Sequence, residues 1–427
     1  MNSLRTFNKN VRIRLYLNFF AIVTSTMVMP YTVVYFSNKI GPALTTSMIL
    51  LIGIISIIGY ILGGIITDRL GRKKIIVFSE MITGIGFIVV SYFDSLEVFY
   101  MLPILLSFSI IYFFETAANP AYSVLLIDSS EDEYRKTMYS YFMWMSSVAF
   151  ALGSLIGGFF FENYSQILYF LVGVTSLISA IFTSVFIKDF YYEKIQKKEI
   201  GQQKRVAFNN KTNSNNKLKL FSAFFILLYL GSLLINLLSE QFPNYISVRI
   251  VSNYPISESV NITGYNMISI LNLENTLITA LVTGLIIKLT KKLSDKSNLI
   301  FGLILFISGY VLLSYFVHPI FLVLGMFLIA IGRLIYNPTL QTIVANAIPE
   351  NTRGTVLSIL GLMGALGGTL SGLFIWGSTF ISEKMITCIF IGIGLTIIFI
   401  YINAYKIYKL KEDKQSKEKV FKSSNIQ

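Results

Sequence analysis

Cysteine, histidine and charged side chains are scarce in this chain of 427 residues. The one cysteine, Cys388, excludes an internal disulfide framework and a cysteine-based metal site, and we expect it to be a small buried hydrophobe. The one histidine, His318, excludes a metal site built from several histidines. The sequence also lacks a Gly-x-x-x-x-Gly-Lys-Ser/Thr phosphate loop. We therefore expect no metal and no cofactor. Energy for any transport would come from an ion gradient, the solute's own gradient or an ATPase on a separate chain.

The low charge content indicates the class of protein. Charged residues make up 13% of the chain, whereas a soluble domain carries roughly 25%. Hydrophobic residues make up 54%, and the mean hydropathy is +0.67. A soluble core stops growing near ~250–300 residues, so this much apolar surface requires lipid. The composition excludes a soluble enzyme and predicts an all-α integral membrane protein.

Twelve apolar runs of about 17–25 residues, the length that crosses a bilayer as a helix, follow one another along the chain. They begin near Ile13, Thr45, Ile75, Val98, Thr137, Gln166, Leu218, Ile262, Asn298, Ile320, Thr355 and Lys384. The first run is too long for a signal peptide and no small-x-small cleavage site closes it. The sequence therefore predicts twelve transmembrane helices.

Basic residues indicate the orientation of these helices. With the N-terminus in the cytoplasm, only Lys39, Arg249 and Lys384 fall in outside segments and Arg333 falls within a span. Every other one of the 35 Lys and Arg residues lies inside, as the positive-inside rule requires. We expect both termini to be cytoplasmic. The net charge of +13 comes from the basic cytoplasmic segments, which face anionic lipid head groups. It therefore does not require a nucleic-acid partner.

A polar, basic, Asn-rich segment divides the chain into two blocks of six spans. We expect residues 1–187 and 218–409 to form two pseudo-symmetric six-helix bundles. A flexible cytoplasmic linker at 188–217 would join them, and a disordered cytoplasmic tail would follow at 410–427.

The two blocks resemble each other in sequence. Asn119-Pro120 in the fourth span recurs as Asn337-Pro338 in the tenth. At the same offset and without a gap, Asp128 aligns with Asn346, Arg135 with Arg353, Thr137 with Thr355 and Ser140 with Ser358. Duplicated six-span halves are typical of transporters that rock two bundles about a midplane site. A duplication with a purely structural role is the alternative.

Residues 63–74, between the second and third spans, read GGIITDRLGRKK. In position, charge and spacing this loop closely resembles the signature Gly-x-x-x-Asp-Arg-x-Gly-Arg-Lys/Arg of the major facilitator superfamily. Gly71 suits a tight turn, and Asp68 at a helix end can bind the positive end of a facing helix. The resemblance implies a conformational switch that helps hold the outward-open state. Its residues would be Gly64, Asp68, Arg69, Gly71, Arg72 and Lys73. A role of the basic residues in topology alone is the alternative.

Within the family, the chain is most similar to twelve-span Gram-positive multidrug/proton antiporters, from the first span to the twelfth. Two positions depart from that group. The place of its fourth-span arginine, near Phe108, is apolar, and Ser154 replaces a proline of its fifth-span motif. The resemblance implies a monomeric transporter of a small-molecule substrate and protons in a bacterial plasma membrane.

Glycines recur at every fourth residue in three spans. They are Gly59 and Gly63 in the second span, Gly153 and Gly157 in the fifth, and Gly364, Gly368 and Gly372 in the eleventh. Small residues one turn apart let helices approach closely. In the family the second span faces the eleventh and the fifth faces the eighth. The resemblance therefore implies that these glycines lie at gating seams, and plain helix packing is the alternative.

Charged residues within spans are candidates for the transport chemistry, because burying one costs about 2.5–3.5 kcal/mol on insertion scales. The candidates are Glu115 in the fourth span, Glu240 in the seventh, Glu274 in the eighth and Arg333 in the tenth, with Asp128 at the end of the fourth. A carboxylate in a cavity can bind a proton or a cationic substrate in turn, which gives antiport. Structural pairing of these charges is the alternative. We expect Glu80, near the inner end of the third span, to be interfacial.

The repeat also aligns Glu115 with Arg333. Since the fourth and tenth spans line the central cavity in the family, the two charges could pair across it in one state. Separate partners within each half are the alternative.

We expect a secondary transporter, not an enzyme, and three functions fit the sequence. The first is proton-coupled export of amphipathic or cationic drugs. The second is import or facilitated passage of a small solute, and the third is a lipid-linked flippase or a sensor.

Overall fold

The computed structural model describes residues 7–129, 132–188, 223–254, 262–348 and 353–424, and every regular element in these ranges is helical. Within these described ranges, eleven helical segments are long and apolar enough to cross a membrane. The predicted all-α, multi-pass membrane architecture is therefore confirmed. Apart from Lys188, the predicted linker lies outside the described residues.

The helices, numbered in chain order, differ widely in length. They are α1 (Lys9–Thr26), α2 (Met29–Ile40), α3 (Pro42–Leu70), α4 (Arg72–Asp94), α5 (Met101–Asp128), α6 (Asp132–Phe186), α7 (Ala223–Ser239), α8 (Ser247–Asn253), α9 (Gly264–Thr290), α10 (Asp295–Tyr315), α11 (Pro319–Ala347), α12 (Arg353–Ser371), α13 (Leu373–Gly377) and α14 (Glu383–Ser424). A π-helical turn, Phe242–Ile246, precedes α8.

Helix α6 accounts for the count of eleven rather than twelve. Its apolar stretch Thr137–Phe186 has 50 residues, which at 1.5 Å per residue would extend about 75 Å, far more than the ~30 Å hydrocarbon core. The backbone leaves helical geometry at Tyr164, where φ is −135° and ψ is 31°. This break falls between the predicted starts of the fifth and sixth spans. The twelve-span count and the cytoplasmic termini stay predictions.

The chain forms two compact units, and the first comprises Met1–Phe208 and Pro243–Thr276. Within it α6 packs against α1 and α4, and α5 packs against α3 and α4. Glycine permits the close approach of α3 to α5, because a Cβ at Gly63 would overlap the backbone of Ala117. The predicted bundle boundaries at 187 and 218 stay a prediction.

A buried ion pair lies inside this first unit, where we expected an interfacial Glu80. The Arg14 guanidinium donates to Glu80 at 2.9 Å. Glu80 also accepts hydrogen bonds from Tyr122 and Ser179, at 2.9 and 2.8 Å, and the Thr183 hydroxyl lies 3.3 Å from its second oxygen. Glu80 is 7% exposed and Arg14 is 8% exposed. Four polar partners from three other helices satisfy the charge of Glu80 between the helices of this unit. Its interfacial depth in the membrane stays a prediction.

The first half of α9 packs against α2 and α6 in the same unit. The Asn266 side chain donates to the Gly158 carbonyl at 2.8 Å, and Ser269 lies directly against Gly158. The rings of Tyr31, Phe161 and Tyr265 cluster beside them, with centroids 5.5 to 6.3 Å apart. We call these residues the Gly158 contact.

The second unit comprises Asn209–Phe242 and Leu277–Gln427. Helix α10 packs against α11 and α14, and α7 packs against α12 and α14. Two sequence expectations fail here. Cys388 is exposed on α14 rather than buried. The predicted disordered tail continues α14 as helix to Ser424.

Candidate transport site

A cavity of about 860 Å³ lies within the second unit, in the size range of pockets for drug-sized ligands. Helices α7, α11, α12 and α14 form its wall. The lining residues are Leu228, Ser232, Ile235, Asn236, Ser239, Glu240, Arg333, Tyr336, Asn337, Leu340, Gln341, Val344, Ala345, Asn346, Ile348, Leu357, Leu360, Gly361 and Tyr401. Two of the predicted charges, Glu240 and Arg333, therefore face one cavity.

Glu240 directly follows the last residue of α7, and its backbone is held on both sides. Its N–H donates to the Asn236 carbonyl at 2.9 Å. The hydroxyl of Tyr310 on α10 donates to the carbonyl of Ser239, the preceding residue, at 2.9 Å. A glycine leaves room for the carboxylate stem, because a Cβ at Gly368 would lie 3.3 Å from Cγ of Glu240. The carboxylate is exposed to the cavity.

Arg333 is half-buried on α11 and stacks over the ring of Phe306, 5.9 Å from its centroid. In the described structure, no N···O distance between Arg333 and Glu240 falls within the 4.0 Å of an ion pair. The two opposite charges thus share the cavity without direct pairing.

Amide side chains supply most of the remaining polarity of the cavity. Asn236 donates to the Ser232 carbonyl at 2.8 Å, and Gln341 donates to Asn337 Oδ1 at 3.4 Å. Arg333, Asn337 and Gln341 follow at every fourth residue, so they share one face of α11. The sequence-based prediction used Asn337 only as a repeat marker and missed Gln341. The four-residue spacing from Arg333 was the signal that identifies both.

Glu274 belongs to the first unit, on the part of α9 next to its boundary. Among the described residues, its Oε2 is buried without a hydrogen-bond partner. The same is true of Asn272 Nδ2 and Asn275 Oδ1 on this helix. Buried polar atoms are normally hydrogen-bonded, so unpaired ones call for an explanation. A ligand or water that visits the site would provide one.

The other predicted charges are not among the residues that line this cavity. Glu115 is exposed on α5 of the first unit. Asp128 ends α5, and its side chain lies outside the described set. The structure thus brings Glu240 together with Arg333 and leaves the pairing of Glu115 with Arg333 as a prediction.

The predicted switch loop joins α3 to α4. Gly71 lies between the two helices with φ 87°, the left-handed region that favours glycine, as the predicted tight turn requires. Among the described residues, no atom lies within 4 Å of a Cβ placed on Gly64. Arg72 and Lys73 begin α4. The side chains of Asp68 and Arg69 are not among those described. The switch function stays a prediction.

The predicted gating glycines make close contacts within their own units. A Cβ on Gly153 or Gly157 would overlap the backbone carbonyls of Val23 or Met27, in and just after α1. Gly364 faces Asn236, at 3.1 Å from a Cβ to the amide nitrogen, and Gly368 faces Glu240. Gly372 lies between α12 and α13. Their gating role stays a prediction.

Comparison with known families gives a match over most of the chain. The family model described as Major Facilitator Superfamily matches residues 15–372. The chain is 24% identical over 393 residues to a Na⁺, Li⁺, K⁺/H⁺ antiporter of Planococcus maritimus, covering 85% of this chain and 88% of that protein. It is 20% identical over 311 residues to the class H tetracycline resistance protein of Pasteurella multocida, covering 72% and 73%.

Solved structures with the same fold include transporters of two kinds of solute. A peptide transporter, POT, in complex with sulfate has a TM-score of 0.73 at 14% identity, over 94% of each chain. The nucleoside transporter NupG has a TM-score of 0.72 at 16% identity, over 93% of this chain and 99% of that one. At these identities the likeness shows the fold alone.

Proposed function

Because the chain belongs to the Major Facilitator Superfamily, we propose that it is a proton-coupled secondary transporter that exports amphipathic organic molecules by alternating access. It would act as a monomer in a bacterial plasma membrane, with twelve spans and both termini in the cytoplasm. The antiporter and tetracycline-resistance relatives support export in exchange for protons.

One observation carries the proposal: the exposed carboxylate of Glu240 in a drug-sized cavity of amides and aliphatic side chains. A carboxylate there can hold a proton or contact a substrate, and one group doing both in turn couples the two flows. Glu274, whose Oε2 is buried and has no hydrogen-bond partner among the described residues, is the second carboxylate we assign to proton transfer. Intramembrane carboxylates of this kind mark proton and substrate pathways in transporters.

Exchange of a monovalent metal ion for protons is the second candidate, favoured by the name of the Planococcus maritimus relative. The same carboxylates would serve. The cavity argues for the organic substrate, because about 860 Å³ lined by leucine, isoleucine and tyrosine far exceeds what a small ion needs. Import of a small solute and lipid flipping are the remaining alternatives from the sequence.

Transport into inside-out membrane vesicles tests direction, coupling and substrate together. Vesicles energised to an acidic interior are monitored by quenching of a pH-sensitive acridine dye. We expect tetracycline to dissipate the proton gradient and accumulate, with both effects lost when an uncoupler is added. Glu240→Gln should abolish them, whereas Glu97→Gln, a change at an exposed carboxylate after α4, should not. Gradient loss with Na⁺, Li⁺ or K⁺ alone would favour the second candidate. Proton-driven uptake into right-side-out vesicles would favour import.

A further inference from the structure

We propose that the cavity of the second unit selects zwitterionic amphiphiles, with the cationic group of the substrate at Glu240 and its anionic group at Arg333. This inference rests on the proposed function and names its substrate class. It follows from the juxtaposition, on one cavity wall, of two opposite charges that form no ion pair with each other in the described structure.

The immediate surroundings of the two charges differ. The Tyr310 hydroxyl donates to the backbone carbonyl of Ser239, the residue before Glu240. The Phe306 ring lies beside the guanidinium, which is a favourable position for a cation. Among the described residues, the two charges do not approach each other to ion-pair distance. Charges in such a cavity call for partners, and here a ligand can supply both.

The cavity wall carries one negative and one positive side chain, so cationic, anionic and zwitterionic ligands are expected to bind it differently. A simple cation at Glu240 is attracted by one carboxylate but repelled by Arg333 across the same cavity. A simple anion at Arg333 is attracted by the guanidinium but repelled by Glu240. A zwitterion gains both attractions at once, since electrostatic complementarity selects among partners by charge pattern.

The rest of the wall fits the body of such a molecule. Asn236, Asn337 and Gln341 offer both hydrogen-bond donors and acceptors to its polar substituents. Leu340, Val344, Leu357 and Leu360 offer apolar surface. A cavity of about 860 Å³ holds a molecule of drug size, so the charges are expected on a rigid, partly apolar framework rather than on a small amino acid.

A matched pair of probes tests this without relying on transport. Ciprofloxacin is a zwitterion near neutral pH, and its methyl ester keeps the same ring system and the cationic group but lacks the carboxylate. Binding to the purified full-length protein in lipid nanodiscs is followed by the probes' own fluorescence. We expect the protein to bind ciprofloxacin at least about tenfold more tightly than the ester, a difference of ~1.4 kcal/mol.

Substitution of Arg333 identifies the source of that preference. Arg333→Gln should lower affinity for ciprofloxacin about tenfold and leave affinity for the ester unchanged or higher. Arg333→Lys, which keeps the charge, should retain most of the preference, and it also serves if the glutamine variant fails to fold. Lys384→Gln, at an exposed position on α14, is the matched control and should bind both probes as the unaltered protein does.

Two results would overturn the inference. One is equal affinity of the unaltered protein for the two probes, and the other is an equal loss of both in Arg333→Gln. Either result leaves the proposed function standing, because proton-driven export is measured separately in vesicles. Conversely, the protein could prefer the zwitterion in the binding experiment and yet show no export in vesicles. That result would reject the antiport proposal but would support the binding site.

Discussion

Arg14 and Glu80 form a buried ion pair, with Nη1 of Arg14 2.9 Å from Oε1 of Glu80. The guanidinium also lies over the ring of Tyr122, 4.5 Å from its centroid, and the Tyr122 hydroxyl donates to the same carboxylate. The pair joins α1 to α4, and Ser179 on α6 extends it to a third helix. It belongs to the first unit, whereas the cavity belongs to the second, so we assign the pair to stability rather than to coupling.

Breaking this pair should destabilise the protein strongly. Removing one member of a buried pair typically costs about 3–5 kcal/mol, because the other charge is left uncompensated. We expect Glu80→Gln and Arg14→Gln each to lower the thermal unfolding midpoint in detergent. The double variant should be less destabilised than the sum of the two, since contacting residues are coupled.

Glu97→Gln is the control for Glu80→Gln, because Glu97 is an exposed carboxylate just beyond the end of the same helix, α4. An unchanged midpoint in Glu80→Gln would contradict the stabilising role. If midpoints held but transport was lost, the pair would instead belong to the coupling machinery.

The architecture could be predicted from the sequence because it depends on long apolar runs and on a duplicated Asn-Pro pair. That pair does place a proline inside both α5 and α11. Side-chain direction could not be predicted, since these helices are apolar on almost every face and show no clear buried stripe. Cys388 was therefore assigned to the wrong environment.

The partners of the charged residues could not be predicted from the sequence either. Arg14 and Glu80 are 66 residues apart on different helices, and no local pattern connects them. In the candidate site, Glu240 and Arg333 were identifiable as charges within spans. Their common cavity depends on the packing of α7 against α12 and α14 and on the position of α11, which a sequence without aligned relatives does not reveal.

The close approach of α9 to α6 at the Gly158 contact should be essential to the transport cycle. A Cβ at Gly158 would overlap Ser269, so Gly158→Ala should prevent α9 from reaching α6 as it does here. We expect transport to be nearly abolished while membrane abundance is retained. Cysteine at Ser269, probed with an impermeant maleimide from outside, should become more reactive in the alanine variant.

Gly284→Ala provides the matched control. Gly284 lies on α9, the helix that carries Ser269, and no described atom lies within 4 Å of a Cβ placed on it. It should transport normally. Normal transport by Gly158→Ala would mean that the cycle does not pass through this close contact.

The switch loop gives a further prediction at Asp68. Asp68→Asn removes the charge that the signature motif places at the inner end of α3 but keeps the shape of the side chain. We expect a strong loss of transport with nearly unchanged abundance and unfolding midpoint, because the residue is proposed to act on the inward–outward equilibrium. Full transport activity of Asp68→Asn would mean that the motif only sets the orientation of the helices in the membrane.

The last prediction concerns which carboxylate depends on Arg333. In the described structure, Arg333 and Glu240 line the same cavity of the second unit. Double-mutant cycles with Glu240→Gln and Arg333→Gln should therefore be non-additive both in substrate binding and in transport.

The internal repeat makes a separate prediction for Glu115, which aligns with Arg333. If these two charges pair only in one state of the cycle, Glu115→Gln and Arg333→Gln should be coupled in transport and additive in binding. The exchange Glu115→Arg with Arg333→Glu should then recover part of the lost transport. Additive transport defects would leave Glu240 as the partner of Arg333. If Arg333 is coupled to both Glu115 and Glu240, it would pair with one of these carboxylates in one state of the cycle and with the other in another state.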